Sequence, residues 1–149
     1  MPRLLLVHHT PSPNLQALLE AARAGVAMVE EAELVERPAL SAGAADLLAA
    51  DGVLLGTPAN IGYMSGALKH FFDTVYYPCL DATVGLPYGV YVHGNDDTAG
   101  ALTSIERITG ALRWKQVAAP LSLIGTPGKE ELEACRELAA TVAVSLPEV

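Results

Sequence analysis

Basic residues are scarce in this chain: nine Lys and Arg stand against 17 Asp and Glu, giving a formal net charge of −8 and a pI near 4.8. The average field therefore repels phosphate backbones and anionic lipid, which excludes nucleic acid and a membrane surface as expected partners. Any anion bound here must be held locally by backbone N–H groups. Cysteine is almost missing as well. Cys79 and Cys135 are too few for a disulfide framework and lack metal-ligand spacing, so they read as small buried hydrophobes in a reducing cytoplasm. Long apolar runs are also lacking. After Met1-Pro2-Arg3 only Leu4 to Val7 are apolar before His8 and His9, too short for a signal peptide or a membrane span. A cytoplasmic location is the expectation.

What the chain does have is apolar content, 51% of 149 residues with a mean hydropathy of +0.32, enough to offset the ordering entropy of one domain built on one core. It folds alone or as a homo-oligomer. Five short apolar runs bounded by polar or Gly/Pro clusters predict strands: Leu4 to His8, Ala32 to Arg37, Gly52 to Gly56, Tyr88 to His93, and Val117 to Ile124, with Pro120 placing the last near an edge. Between them, apolar residues recur at helical spacing in Leu15/Leu18/Leu19/Ala22, Leu68/Phe71/Phe72/Val75, Leu102/Ile105/Ile108/Leu112 and Leu132/Cys135/Leu138/Val142. A shorter helix is expected over Ala42 to Ala50. Strands each followed by a helix predict a three-layer, doubly wound α/β domain with a five-stranded parallel sheet spanning residues 1–149. Such folds bind ligands outside the carboxyl ends of their strands, so function is sought in the loops after Val7, Gly56 and Val92.

The first loop runs His8-His9-Thr10-Pro11-Ser12-Pro13-Asn14-Leu15. Thr10, Ser12 and Asn14 gather polar donors where a helix begins, which suits a phosphate monoester; the same Ser12-Pro13 pair is also a good N-cap and N1 residue. The second, Gly56-Thr57-Pro58-Ala59-Asn60-Ile61-Gly62-Tyr63-Met64-Ser65-Gly66, is long for its position. Its glycines allow close backbone approach to a flat ring, Asn60 can bond ring heteroatoms, and Tyr63 or Met64 can cover the ring. Equally, Ser65 can cap a helix while Tyr63 and Met64 fill core. In the third, His93-Gly94-Asn95-Asp96-Asp97-Thr98, Gly94 and Asn95 suit a ring edge, and Asp97 or Thr98 can cap the next helix.

Residues 56 to 73, GTPANIGYMSGALKHFFD, resemble the flavin-ring loop and following helix of flavodoxin-like proteins and NAD(P)H-dependent FMN or quinone reductases. Residues 93 to 101, HGNDDTAGA, resemble their second ring loop. The resemblance implies a flavodoxin-like sheet of order 2-1-3-4-5 with FMN at the switch point, the order for which flavodoxin itself is a standard example. It places Thr10, Ser12, Asn14 and Leu15 at the FMN phosphate. Thr57, Pro58, Ala59, Asn60, Ile61, Gly62, Tyr63 and Met64 then line the isoalloxazine, and His93, Gly94 and Asn95 close its other side. The first loop departs from the family pattern, with Pro13 where a glycine is common and Leu15 where Ser or Thr is common.

With FMN bound, the implied activity is electron transfer from NAD(P)H to a quinone or flavin acceptor, with small molecules as donor and acceptor and no catalytic side chain or metal required. Two alternatives accompany this expectation: a flavodoxin-type electron carrier, and a degenerate binding module without FMN. A metal hydrolase built on His8, His9, His93, Asp96 and Asp97 is disfavoured, because strands one and four are separated by strand three.

Overall fold

Every residue from Leu4 to His8 is buried, as a strand covered on both faces requires. In this computed structural model, which describes residues 1–148, that run is β1 (Arg3–His8), an interior strand of a largely parallel sheet. The chain continues as α1 (Pro13–Ala27), β2 (Glu33–Pro38), α2 (Ala44–Leu48), β3 (Gly52–Asn60), β4 (Tyr63–Met64) and α3 (Gly66–Cys79). It ends with β5 (Pro87–Gly94), α4 (Ala99–Ala111), β6 (Lys115–Gln116), β7 (Leu121–Ile124) and α5 (Lys129–Val144). Strand order is β2-β1-β3-β5, and β6 and β7 both pair with the outer side of β5, at Pro87–Tyr88 and at Tyr91–Gly94 respectively. Counted by the five expected runs, this is 2-1-3-4-5, and all pairs among those runs are parallel.

The sheet has seven strands rather than five. The expected strand over Val117 to Ile124 is two short pieces, β6 and β7, because Pro120 supplies no N–H and the intervening residues leave the ladder after a bond from Val117 N–H to Tyr88 O at 3.0 Å. The other addition is β4, which folds back antiparallel on the end of β3 with Ala59 opposite Met64 and Asn60 opposite Tyr63. The segment expected as an open loop is thus a strand extension and a hairpin.

Side chains alternate across the sheet and create two cores. Leu5, Val7, Val53, Leu55, Val90 and Val92 face α3 and α4, where they meet Phe71, Phe72, Ile105 and Trp114. Leu4, Leu6, Leu54 and Tyr91 face the opposite way, onto Leu15, Leu18 and Leu19 of α1 and Cys135, Leu138 and Val142 of α5. Each fully buried Leu or Phe contributes about 1.5–3 kcal/mol, so these two layers hold the strand ends rigidly enough to present loops. Among the described residues, no helix is long and apolar enough to cross a membrane.

Candidate functional site

The three expected loops all emerge at the carboxyl ends of β1, β3 and β5. The ladder between β1 and β3 closes with a bond from His9 N–H to Gly56 O at 2.9 Å, and beyond it the chain turns into the first loop. Ser12 is the N-cap of α1: its Oγ accepts from Leu15 N–H at 3.2 Å, and Pro13 occupies the first helical position. Leu15 itself is buried among the α1 and α5 side chains, so only its already committed N–H lies near the loop. The N–H groups of Thr10, Ser12 and Asn14 have no acceptor among the described residues. Three free donors above the positive end of a helix fit a phosphate.

Beneath this loop lies a polar cluster that pattern reading missed. His8 is only 8% exposed, and its Nδ1 stands 2.7 Å from Thr10 Oγ1. Its Nε2 faces Glu36 Oε2 at 3.4 Å, close enough for charge interaction though not aligned for a hydrogen bond. Arg23 of α1 donates to both Glu36 oxygens, at 2.6 and 2.8 Å. That guanidinium holds the Glu36 carboxyl below its ordinary pKa, while burial keeps the His8 pKa below the usual histidine value. The available signal was Glu36 itself, a charged residue on the same inward-facing side of β2 as Leu34.

The second loop is built as a hairpin. Thr57 is fully buried; its hydroxyl donates to Pro58 O at 2.9 Å and accepts from Ser65 N–H at 3.1 Å, tying the two arms together. Ile61 (φ 50°) and Gly62 (φ 72°) form the turn, both left-handed, as two-residue hairpin turns with the twist of the flanking strands require. A β-branched residue in that region is strained. The hairpin tip packs so closely on α4 that a Cβ on Gly100 would stand 2.0 Å from Gly62 O. Ser104 of α4 accepts from Met64 N–H at 3.2 Å and fixes the return arm. Because successive strand residues face opposite ways, Tyr63 is exposed while Met64 is buried in the core, which leaves Tyr63 alone as a ring cover.

In the third loop, Gly94 lies beside the second: a Cβ built on it would approach Ala59 Cβ at 3.4 Å. The His93 ring is committed elsewhere, with Nε2 donating to Gly125 O at 2.7 Å. Asn95 is exposed at the rim. Asp97 accepts from Ala99 N–H at 2.9 Å and starts α4, and the Thr98 and Ser122 hydroxyls bond to one another. Pro58 thus pairs with His93 in the ladder, and Ala59 and Asn60 continue beside Gly94 and Asn95 at the carboxyl end of the sheet, from which the first loop also emerges. A flat ring carrying a phosphate tail fits this layout. His8 and His93 commit their rings to different partners, and no group of three or more His, Cys, Asp or Glu is gathered for a metal among the described residues.

Comparisons with known proteins bear on the same segments. The sequence profile of the NADPH-dependent FMN reductases matches residues 18–126. A flavodoxin of Aquifex aeolicus (strain VF5) is 32% identical over 75 residues, half of this chain and 40% of that protein, so the match spans well under two thirds of the relative. Solved structures are similar over nearly the whole chain. A flavodoxin from the domain Archaea has a TM-score of 0.82 at 15% identity, covering 95% of this chain and 96% of that one. Flavodoxin 1 from Bacillus cereus reaches 0.80 at 18%, covering 97% and 99%. A flavodoxin, WrbA-like protein from Agrobacterium tumefaciens reaches 0.76 at 19%, covering 97% and 96%. At such identities these likenesses establish the fold, and the profile match over most of the chain establishes that it belongs to the NADPH-dependent FMN reductase family, whose cofactor is FMN.

Proposed function

We propose that this chain, acting as one domain, is an FMN-dependent reductase that takes reducing equivalents from NAD(P)H and delivers them to a quinone or a free flavin. FMN, when bound, supplies acceptance of a hydride and onward donation of one or two electrons. The chain's own residues bind and orient. Thr10, Ser12 and Asn14 hold the phosphate with their N–H groups, and the N-terminal end of α1 adds its partial positive charge. Pro58 to Tyr63 and Gly94-Asn95 hold the ring by main-chain groups and the Asn60 amide. Thr57 and Ser104 keep the hairpin in place through the bonds to Ser65 and Met64. The net reaction, NAD(P)H and a quinone and one proton giving NAD(P)+ and hydroquinone, balances with one proton taken from solvent.

The observation that carries this reading is the sparse ring cover. Tyr63, 41% exposed, is the sole aromatic of the two ring loops. A nicotinamide must approach face to face at about 3–3.5 Å, which a face without an aromatic lid permits. The scarcity of cysteine supports action in a reducing cytoplasm. An electron-carrier reading is favoured by the relationship to the Aquifex flavodoxin. Anaerobic stopped-flow mixing of the FMN-loaded protein with NADPH separates the two. The reductase reading expects the absorbance near about 450 nm to bleach faster than that of free FMN, followed by reoxidation on adding a soluble quinone. Bleaching no faster than free FMN favours the carrier, and failure to bind FMN favours a cofactor-free module.

A further inference from the structure

The first loop has to hold a phosphate dianion in a chain of net charge −8, with no Lys or Arg between His8 and Leu15. Pro11 and Pro13 offer no N–H, and the Leu15 N–H is committed to Ser12 Oγ. Few ionisable groups face the loop from below. β1 ends in His8 and continues into His9, β2 contributes Glu36, and α1 contributes Arg23, already bound to Glu36. β3 offers only Gly56 at this level, β5 lays the Tyr91 ring over that glycine, and α5 contributes Cys135 beside Leu18 O. Burial raises the pKa of Tyr91 and pushes that of Cys135 up to about 12, so both stay neutral. Of the two histidines at the loop, His8 is the one hydrogen-bonded to a loop side chain, Thr10 Oγ1, and it can gain a positive charge.

We propose that His8 sets the direction in which the Thr10 hydroxyl donates, and thereby couples phosphate binding at Thr10 to Asn14 to the uptake of one proton from solvent. The inference rests on the FMN reading above. Glu36 Oε2, 3.4 Å from Nε2, disfavours a lone pair there, so the neutral ring carries its proton on Nε2. Nδ1 is then an acceptor, and at 2.7 Å the Thr10 O–H must donate inward to it. Only oxygen lone pairs are left facing an incoming phosphate. Protonation of Nδ1 reverses this bond: the ring N–H donates to Thr10 Oγ1, and the hydroxyl hydrogen becomes free to point at a phosphate oxygen. The imidazolium also places a full positive charge behind the loop. Burial disfavours the charged ring in the free protein, whereas a dianion bound at the loop favours it. His8 is therefore a positioning residue that acts through Thr10.

Calorimetric titration with FMN in two buffers of different ionisation enthalpy counts the protons taken up. Between about pH 7 and 8 the FMN phosphate is already a dianion and adds little proton change of its own. The expected result is net proton uptake with FMN and none with riboflavin, which lacks the phosphate. FMN affinity should fall as pH rises, by up to about tenfold per pH unit, between the pKa of His8 in the free protein and its higher pKa in the complex. His8→Asn, whose amide can donate to Thr10 at any pH, should lose both the uptake and the pH slope. Should that variant not fold, the His8 Cε1–H resonance of the wild-type protein gives the same answer: FMN, unlike riboflavin, should move its titration midpoint upward. FMN binding without uptake, equal uptake with riboflavin, or uptake that persists in His8→Asn overturns the proposal and leaves the FMN reading standing. Absence of FMN binding across the range from about pH 5 to 8, which spans the ordinary imidazole titration, overturns both.

Discussion

Gly56 and Tyr91 show how one residue identity fixes another at the base of the site. A Cβ on Gly56 would stand 2.2 Å from Tyr91 Cζ, so the ring can lie flat over β3 only because position 56 has no side chain. The Tyr91 hydroxyl is buried there without a hydrogen-bond partner among the described residues. Gly56→Ala should destabilise the protein by about 1–3 kcal/mol through overpacking, and Tyr91→Leu in the same chain should recover part of that loss. Tyr91→Phe, which removes an unsatisfied buried group without changing shape, should be neutral or stabilising by about 1 kcal/mol. Chemical denaturation of the four proteins checks both statements; a strongly destabilising Tyr91→Phe would mean that the hydroxyl has a partner in solution. Gly56 was legible in the sequence as a turn-like glycine at a strand end. Its partnership with Tyr91 was not, because the register that sets the two side by side is a product of the assembled sheet.

The elements themselves were largely written in periodicity: five helices and the main parallel strands follow the apolar stripes and runs. Two-residue strands such as β4 and β6 are too short to leave an alternating signal, and the Gly/Pro content of residues 56–66 disguised the extension of β3. Pro58 is tolerated in that strand for a local reason. Gly56 turns its carbonyl toward β1, and two residues on Pro58 faces the same side, where β1 has already ended, so its missing N–H costs no ladder bond. The first loop shows a similar competition at the start of α1. Pro13 suits the first helical turn but removes a donor from the phosphate end. Pro13→Gly should therefore tighten FMN binding several-fold while costing up to about 1 kcal/mol of stability through the more flexible unfolded chain. Fluorescence titration alongside urea denaturation reads the two effects separately, and unchanged or weaker FMN affinity would show that the proline is not what limits the phosphate site.

The contact among α1, β2 and β1 through Arg23, Glu36 and His8 carries a pH dependence of its own. His8 has a lowered pKa in the folded protein, so the unfolded chain binds more protons below its ordinary value of about 6.5 and acid favours unfolding. The Glu36 carboxyl is also lowered, by Arg23, so its contribution is present above the ordinary carboxylate range and is lost as pH falls through the folded value. Both act in one direction. Cofactor-free protein should lose stability on acidification below about pH 6.5, by at most about 1.4 kcal/mol per pH unit from His8, with a second loss below about pH 4. His8→Asn should flatten the first phase and Glu36→Gln the second, as measured by urea midpoints across pH.

Across the whole molecule the dominant quantity is the net charge of −8, and it opposes the proposed donor. NADH carries a pyrophosphate, and NADPH adds a further phosphate, so a field averaged over the surface slows encounter with both and with NADPH more. Salt screens this repulsion, since the Debye length shrinks from about 30 Å at 0.01 M to about 8 Å at 0.15 M. Over that range kcat/KM should rise, with a steeper rise for NADPH than for NADH, while kcat stays level because the bound complex lies inside the screening distance. The opposing force is local: Arg107 lines a groove with Gly62 and Tyr63 beside the hairpin tip. Steady-state kinetics with both nucleotides at increasing NaCl decides between the two fields. A kcat/KM that falls with salt, more for NADPH than for NADH, would show that a few cations near the hairpin tip outweigh the average acidity of the chain, and Arg107→Gln would then be expected to restore the rise.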